Sequence, residues 1–181
     1  MWRWWIAVTG SIAAVAFVSH AHAGPLIERP GHVTEAEMII EAPPAEVYRL
    51  VTDYERWPAV LTDVVDVQLV RGGARDGRVR FGSRAFGREV TVLFDNVPDK
   101  LIRFRGVKGP PGGRARGEYR LTPVPGSGGT RTHVLARLYL DVVGLPGLFV
   151  RDSTIRAMRR HKLDRDLTDV ARWFALRNPP K

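Results

Sequence analysis

The chain has no cysteine, and that single absence removes disulfides, thiolate metal centres, a cysteine nucleophile and a lipid-modified N-terminal cysteine. It carries no information about redox compartment. Histidine is nearly as sparse: beyond the first 23 residues only His32, His133 and His161 remain. No HExxH, no Gly-x-Ser-x-Gly and no phosphate-cradling glycine motif occurs. Gly109 to Gly113 is glycine-rich, but its two prolines and the lack of a following helix make it a rim loop rather than a nucleotide site. Internal repeats and low-complexity tracts are missing too.

What is there begins with an expected export signal. Arg3 supplies a positive charge, an apolar run follows from Ile6 to Val18, and Ala21-His22-Ala23 offers small residues at both positions a signal peptidase reads. The run falls short of the ~20 residues a spanning helix needs, which favours cleavage after Ala23 over an uncleaved anchor. The expected organisation is a signal peptide over 1–23, a leader over 24–31, one domain over 32–177 and a tail over 178–181, with the mature protein periplasmic or secreted. The 181 residues, 44% hydrophobic, suffice for one domain with a substantial core.

Strict alternation organises the rest. Thr132, Val134, Ala136, Leu138, Leu140 and Val142 oppose Arg131, His133, Arg137, Tyr139 and Asp141, broken only by Leu135. Successive strand side chains point to opposite faces, so one face is oily and the other wet. The same division predicts strands around Ala36, Met38 and Ile40, around Val65, Val67 and Leu69, around Val79, Phe81 and Ser83, and around Val90, Val92 and Phe94. Two more centre on Ile102 and Phe104, and on Ala115, Gly117, Tyr119 and Leu121. The inward set of these strands contains no acid, no base and no histidine.

Between the first two strands, Pro44 to Val51 predicts a helix with Val47, Leu50 and Val51 on its apolar stripe, and Asp53 opens a further short turn through Trp57 that stops near Pro58. Leu148 to Leu176 predicts a long amphipathic helix with Leu163, Leu167, Val170 and Phe174 at helical spacing. That stripe extrapolates backwards onto Arg159, either as a polar contact at a pocket mouth or, as favoured here, as a solvated residue before the helix meets the sheet.

Ile40-Glu41-Ala42-Pro43-Pro44-Ala45-Glu46-Val47-Tyr48, Asp53-Tyr54 and Trp57-Pro58 together resemble the opening of the START-like superfamily, which includes polyketide cyclases, plant pathogenesis-related allergens and coenzyme-Q-binding proteins. Tyr119 to Pro123, Gly128 to Thr132 and Leu145-Pro146-Gly147 follow the same layout. The resemblance implies an α+β helix-grip fold, a curved seven-stranded antiparallel sheet around the C-terminal helix. It also implies a cavity between the two that takes a hydrophobic molecule.

The oily face favours binding over charged catalysis. Trp57, Phe81, Val92, Phe94, Phe104, Tyr119, Leu138, Leu140, Met158 and Leu163 are the candidate ligand-binding residues, for a lipid, isoprenoid or quinone. No catalytic constellation, metal set or cofactor is expected, and the three histidines read as solvated. Tyr119 is the one inward titratable group, better suited to orienting a ligand than to acid/base work. A polyketide-cyclase-like enzyme and a ligand-free accessory protein are the alternatives.

Charge is unbalanced: 28 Lys+Arg against 19 Asp+Glu give a net charge of +9. Arg78, Arg80, Arg84, Arg103, Arg105, Arg114, Arg116, Arg120, Arg131 and Arg137 share the wet face. Only Tyr139 there offers a stacking ring, so nucleic acid is not expected as a partner. Peripheral contact with an anionic membrane and plain solubility through cross-strand ion pairs both remain open.

Overall fold

Alternation of Ala36 and Ile40, 6% and 1% exposed, against the exposed Glu35, Glu37 and Ile39 makes Val33–Ile40 a half-buried strand, β1. In this computed structural model, which describes residues 32–84, 87–109, 113–142 and 151–177, β1 is one edge of a seven-stranded antiparallel sheet. The other strands are β2 (Val64–Arg71), β3 (Arg78–Ser83), β4 (Arg88–Phe94), β5 (Leu101–Lys108), β6 (Gly113–Pro123) and β7 (Thr132–Val142), in the order β1-β7-β6-β5-β4-β3-β2. β1 and β2 are neighbours in sequence but lie at opposite edges. The chain between them therefore crosses the open side of the sheet, and it carries α1 (Pro44–Thr52), a 3₁₀ turn (Tyr54–Arg56) and α2 (Trp57–Val60) across it.

The long helix, α3 (Asp152–Arg177), has 26 residues and is about 39 Å long. It lies over β1 and β7 and touches α2. The architecture is the expected curved sheet wrapped on a C-terminal helix. Among the described residues no helix is long and apolar enough to cross a membrane. The expected signal peptide and leader, the tail, residues 110–112 of the rim loop, Leu145 to Gly147 and the first three residues of the expected last helix lie outside the described residues.

Three local expectations are corrected. Pro58 does not stop a helix; it sits in the first turn of α2, where a missing N–H costs nothing. In β2 the inward partner of Val67 and Leu69 is Val64, not Val65. A bulge lies between Val65 and Gln68, where Asp66 adopts φ 52°, and the extra residue shifts the phase by one. Gly113, read as the end of a loop, opens β6.

Gly117 of β6 is required by close approach. A Cβ there would lie 2.5 Å from Phe104 Cζ and 2.7 Å from the carbonyl oxygen of Arg137. Its absence leaves room for the Phe104 ring.

The wet face is not wet throughout. Tyr139 and Asp141 are each 4% exposed. The His32 ring stacks on Tyr139 at 6.4 Å, its Nδ1 lies 3.4 Å from Asp141 Oδ1, and the Arg116 guanidinium stands 5.4 Å above the Tyr139 ring. The expectation of a solvated His32 is therefore corrected: packing of the residue before β1 against the end of β7 covers it. His133 and His161 are as expected at the surface, beside Glu37 and Arg165.

Candidate functional site

The inner face of the sheet is covered in two ways. Beneath α3, the side chains of Ala136, Leu138 and Leu163 pack to 0%, 7% and 1% exposure. Beneath α1 and α2, where the covering helices are short, a cavity of about 110 Å³ remains. Trp57, Phe81, Val92, Phe94, Phe104 and Tyr119 line it, joined by Val47, Leu50 and Val51 of α1, by Val60, Leu61 and Val64, and by Leu167 and Val170 of α3.

The aromatic residues form a continuous path along the wall. Trp57 meets the Phe81 ring at 5.5 Å and the Phe94 ring at 5.7 Å, both edge-on; Phe94 meets Phe104 at 6.1 Å, and Phe104 stacks on Tyr119 at 6.1 Å. The indole N–H of Trp57 donates to the Val51 carbonyl at 2.9 Å, so its ring serves the cavity as an apolar surface. Behind it, Tyr54 packs on Phe94 at 4.8 Å and its hydroxyl accepts from Asn96 at 3.2 Å. Burial pushes the Tyr54 hydroxyl up to about 12, against the opposing pull of the Asn96 hydrogen bond.

The path ends on a buried polar cluster. Tyr119 donates its hydroxyl proton to Asp166 Oδ2 at 3.2 Å, and Lys162 Nζ lies 2.7 Å from Asp166 Oδ1 and 3.7 Å from Asp63 Oδ2. Asp63, 1% exposed, also accepts from the Ser83 hydroxyl at 3.0 Å. Burial and the adjacent Asp166 hold the Tyr119 hydroxyl well above its ordinary range. Burial pulls the Lys162 ammonium down, but Asp166 and Asp63 together outweigh it and leave the group raised.

The ten candidate residues thus divide. Six of them stand on the cavity wall. Leu138 and Leu163 belong to the packed region under α3, while Leu140 and Met158 are half-buried away from the cavity. The reason is the position of α3 over β1 and β7, which closes that part of the inner face.

The strands contribute no inward charge, as expected, yet the cavity has charges: α3 and the residue preceding β2 supply them. Asp166 lies three residues after Leu163, on the apolar stripe itself, and that spacing was the signal that could have found it.

Arg159 is likewise corrected. It is 2% exposed, donating from Nε to Thr34 Oγ1 and from an Nη to the Leu140 carbonyl, both at 2.9 Å. Burial and Arg156 lower its pKa, opposed by Asp141, Asp152 and Tyr139. It anchors α3 to β1 and β7, outside the cavity wall. A second clip holds the helix further on, where Asp169 Oδ2 accepts from the Thr62 amide and hydroxyl, both at 2.8 Å. Among the described residues no group of three His, Asp or Glu side chains is placed to hold a metal ion.

Residues 31–174 match the family described as polyketide cyclase / dehydrase and lipid transport. The chain belongs to this family. No curated protein matches it. Among solved structures, this family member is similar to the di-domain ARO/CYC BexL of the BE-7585A biosynthetic pathway, with a TM-score of 0.66 and 23% identity over 82% of this chain. The match spans 48% of BexL, about half of that protein. It is also similar to the Zhui aromatase/cyclase of Streptomyces sp. R1128 (TM-score 0.65, 19% identity, 80% of this chain and 94% of that one). A START superfamily protein of Mycobacterium smegmatis matches at TM-score 0.67 with 11% identity, over 81% of this chain and 99% of that one. At these identities the likeness is one of fold.

Proposed function

We propose that this protein is an exported binding or carrier protein for an apolar small molecule, held in the cavity between β3–β6, the helices α1 and α2, and the middle of α3. The observation that carries the reading is the aromatic path from Phe81 to Tyr119, an apolar wall ending on a single polar cluster. Such a wall desolvates an apolar body, and the polar end fixes its orientation. A volume of about 110 Å³ is somewhat below the ~150 Å³ of an engineered apolar cavity that takes benzene. A lipid, isoprenoid or quinone would therefore seat a ring or a terminal segment there. Native mass spectrometry of protein purified from its own envelope tests the reading. A stoichiometric co-purifying apolar molecule is expected; consistently empty protein, inert to lipid extracts, overturns it.

A second reading, a cyclase/dehydrase-like enzyme acting on a similar molecule, is favoured by the line of hydrogen bonds and ion pairs through Tyr119, Asp166, Lys162 and Asp63 at the cavity end. Proton-transfer catalysis needs such groups within reach of the substrate. Conversion of a bound ligand by the native protein and not by Tyr119→Phe would replace carriage with catalysis.

Export and membrane contact belong to the same proposal. Many arginines of the wet face are paired: Arg103 with Asp95 at 3.2 Å, Arg120 with Glu118 at 2.9 Å, Arg137 with Glu35 at 2.7 Å and Arg80 with Glu89 at 3.5 Å. Arg78, Arg84, Arg105 and Arg114 are exposed, and no ion pair of theirs occurs among the described residues. These four are the groups left to meet anionic headgroups. Salt-sensitive binding to phosphatidylglycerol vesicles that weakens when they are replaced by Gln is the expected result, and unchanged binding excludes this surface.

A further inference from the structure

We infer that the cavity selects a ligand whose buried end is an uncharged hydroxyl and rejects one ending in a carboxylate. This rests on the ligand-binding reading above and deepens it, because it follows from what the polar cluster has left to offer.

Lys162 and Asp166 are the charged residues on the cavity wall among the described residues, and Asp63 stands directly behind Lys162. Two carboxylates and one ammonium leave one formal negative charge at this end. The ammonium is already shared between the two carboxylates, at 2.7 and 3.7 Å. An incoming carboxylate would have to desolvate beside a net negative group with no cation to itself, a costly arrangement in a site walled by aromatic rings. A basic cluster on this helix would have argued the opposite, and by sequence alone Arg159, Arg160 and Lys162 look like one. Arg159 is turned to Thr34 and the Leu140 carbonyl, and Arg160 to Asp164, so neither adds positive charge to the cavity wall.

Hydrogen-bond capacity points the same way. Tyr119 has one proton and gives it to Asp166, so toward the cavity its oxygen is an acceptor. Lys162 has three protons and two carboxylate partners, so one N–H remains for an oxygen. An acceptor and a donor side by side match a hydroxyl, which donates to Tyr119 and accepts from Lys162. A carboxylate has no proton for Tyr119. A bare hydrocarbon leaves both groups unanswered.

Three probes of one ring, differing only at the para position, test this in the full chain near neutral pH: toluene, p-cresol and p-toluate, titrated and followed by NMR. p-Cresol is expected to bind most tightly, with p-toluate at least about tenfold weaker, the scale of one uncompensated like charge. p-Toluate binding as tightly as p-cresol overturns the inference, and so does toluene matching p-cresol, which would mean that the cluster does not touch the ligand. Should toluene and p-cresol both fail to bind, the apolar-cavity reading itself falls. Asp166→Asn, which removes one negative charge at constant volume, is expected to bring p-cresol and p-toluate within about threefold of each other. A gap that stays at tenfold in that variant counts against charge as its cause. The wild-type comparison stands even if the variant does not fold.

Discussion

The two halves of the inner sheet face carry the same chemistry and reach different ends. Under the first half of α3, Ala136 and Leu138 of β7 meet a 26-residue helix that is clipped at Arg159 and Asp169, and with Leu163 they pack to 7% exposure or less. Across β3 to β6 the same oily alternation meets α1, of nine residues, α2, of four, and a few side chains from the middle of α3, and a hollow remains lined by aromatic rings. Apolar patterning decides which face is buried. The length and polar anchoring of whatever covers it decide whether the burial is full.

The sharpest way to break this comparison is to cut one side chain in the packed half. Leu163→Ala should cost about 2–5 kcal/mol in denaturant unfolding and leave toluene binding unchanged; a loss below about 1 kcal/mol would mean the region under α3 is not packed. Arg159→Ala, which removes the clip to Thr34 and the Leu140 carbonyl, should cost about 1–3 kcal/mol, because both part-buried acceptors lose a charged donor.

Gly117→Ala probes the seam between the halves. Its methyl meets the Phe104 ring and backbone of β7, and a cost of about 1–3 kcal/mol is expected. Enlarging the two halves should then separate them. Ala136→Val, at a fully buried position, should destabilise by about 1–3 kcal/mol, whereas Val92→Phe should be accepted within about 1 kcal/mol by filling the hollow, and should abolish ligand binding. Equal penalties would erase the distinction.

A further modest effect is one of pH. Tyr54, raised to about 12, keeps its proton in the folded protein where an unfolded tyrosine loses it near 10. Its contribution, about 1–2 kcal/mol, is full below pH 10 and lost as pH rises toward 12. Tyr119 and Lys162, both raised, act in the same direction. Tyr54→Phe should flatten the alkaline fall in stability without removing it.

Strand number, antiparallel order and the covering helix were legible because they rest on the two-residue and 3.6-residue periods, which hold over most of each element. Val64 was missed because a single bulge residue, Asp66, changes the phase without changing composition. Lys162 and Asp166 were missed, and Arg159 was read as solvated, for another reason. Charged residues on a helix are ordinarily solvated, and only tertiary packing brings Asp63 from before β2 and Tyr119 from β6 to meet them. Six wall residues were visible as inward aromatic and aliphatic positions. Leu138 and Leu163 share that pattern and lie elsewhere, since alternation tells which face a side chain takes and not what stands above it.

The most direct measurement is a toluene titration of methyl-labelled full chain followed by NMR. Shifts are predicted at the methyls of Val51, Val60, Val92 and Leu167, with those of Leu138 and Leu163 unmoved. Shifts centred on Leu138 and Leu163, or none at any of the six, would contradict a hollow beneath α1 and α2.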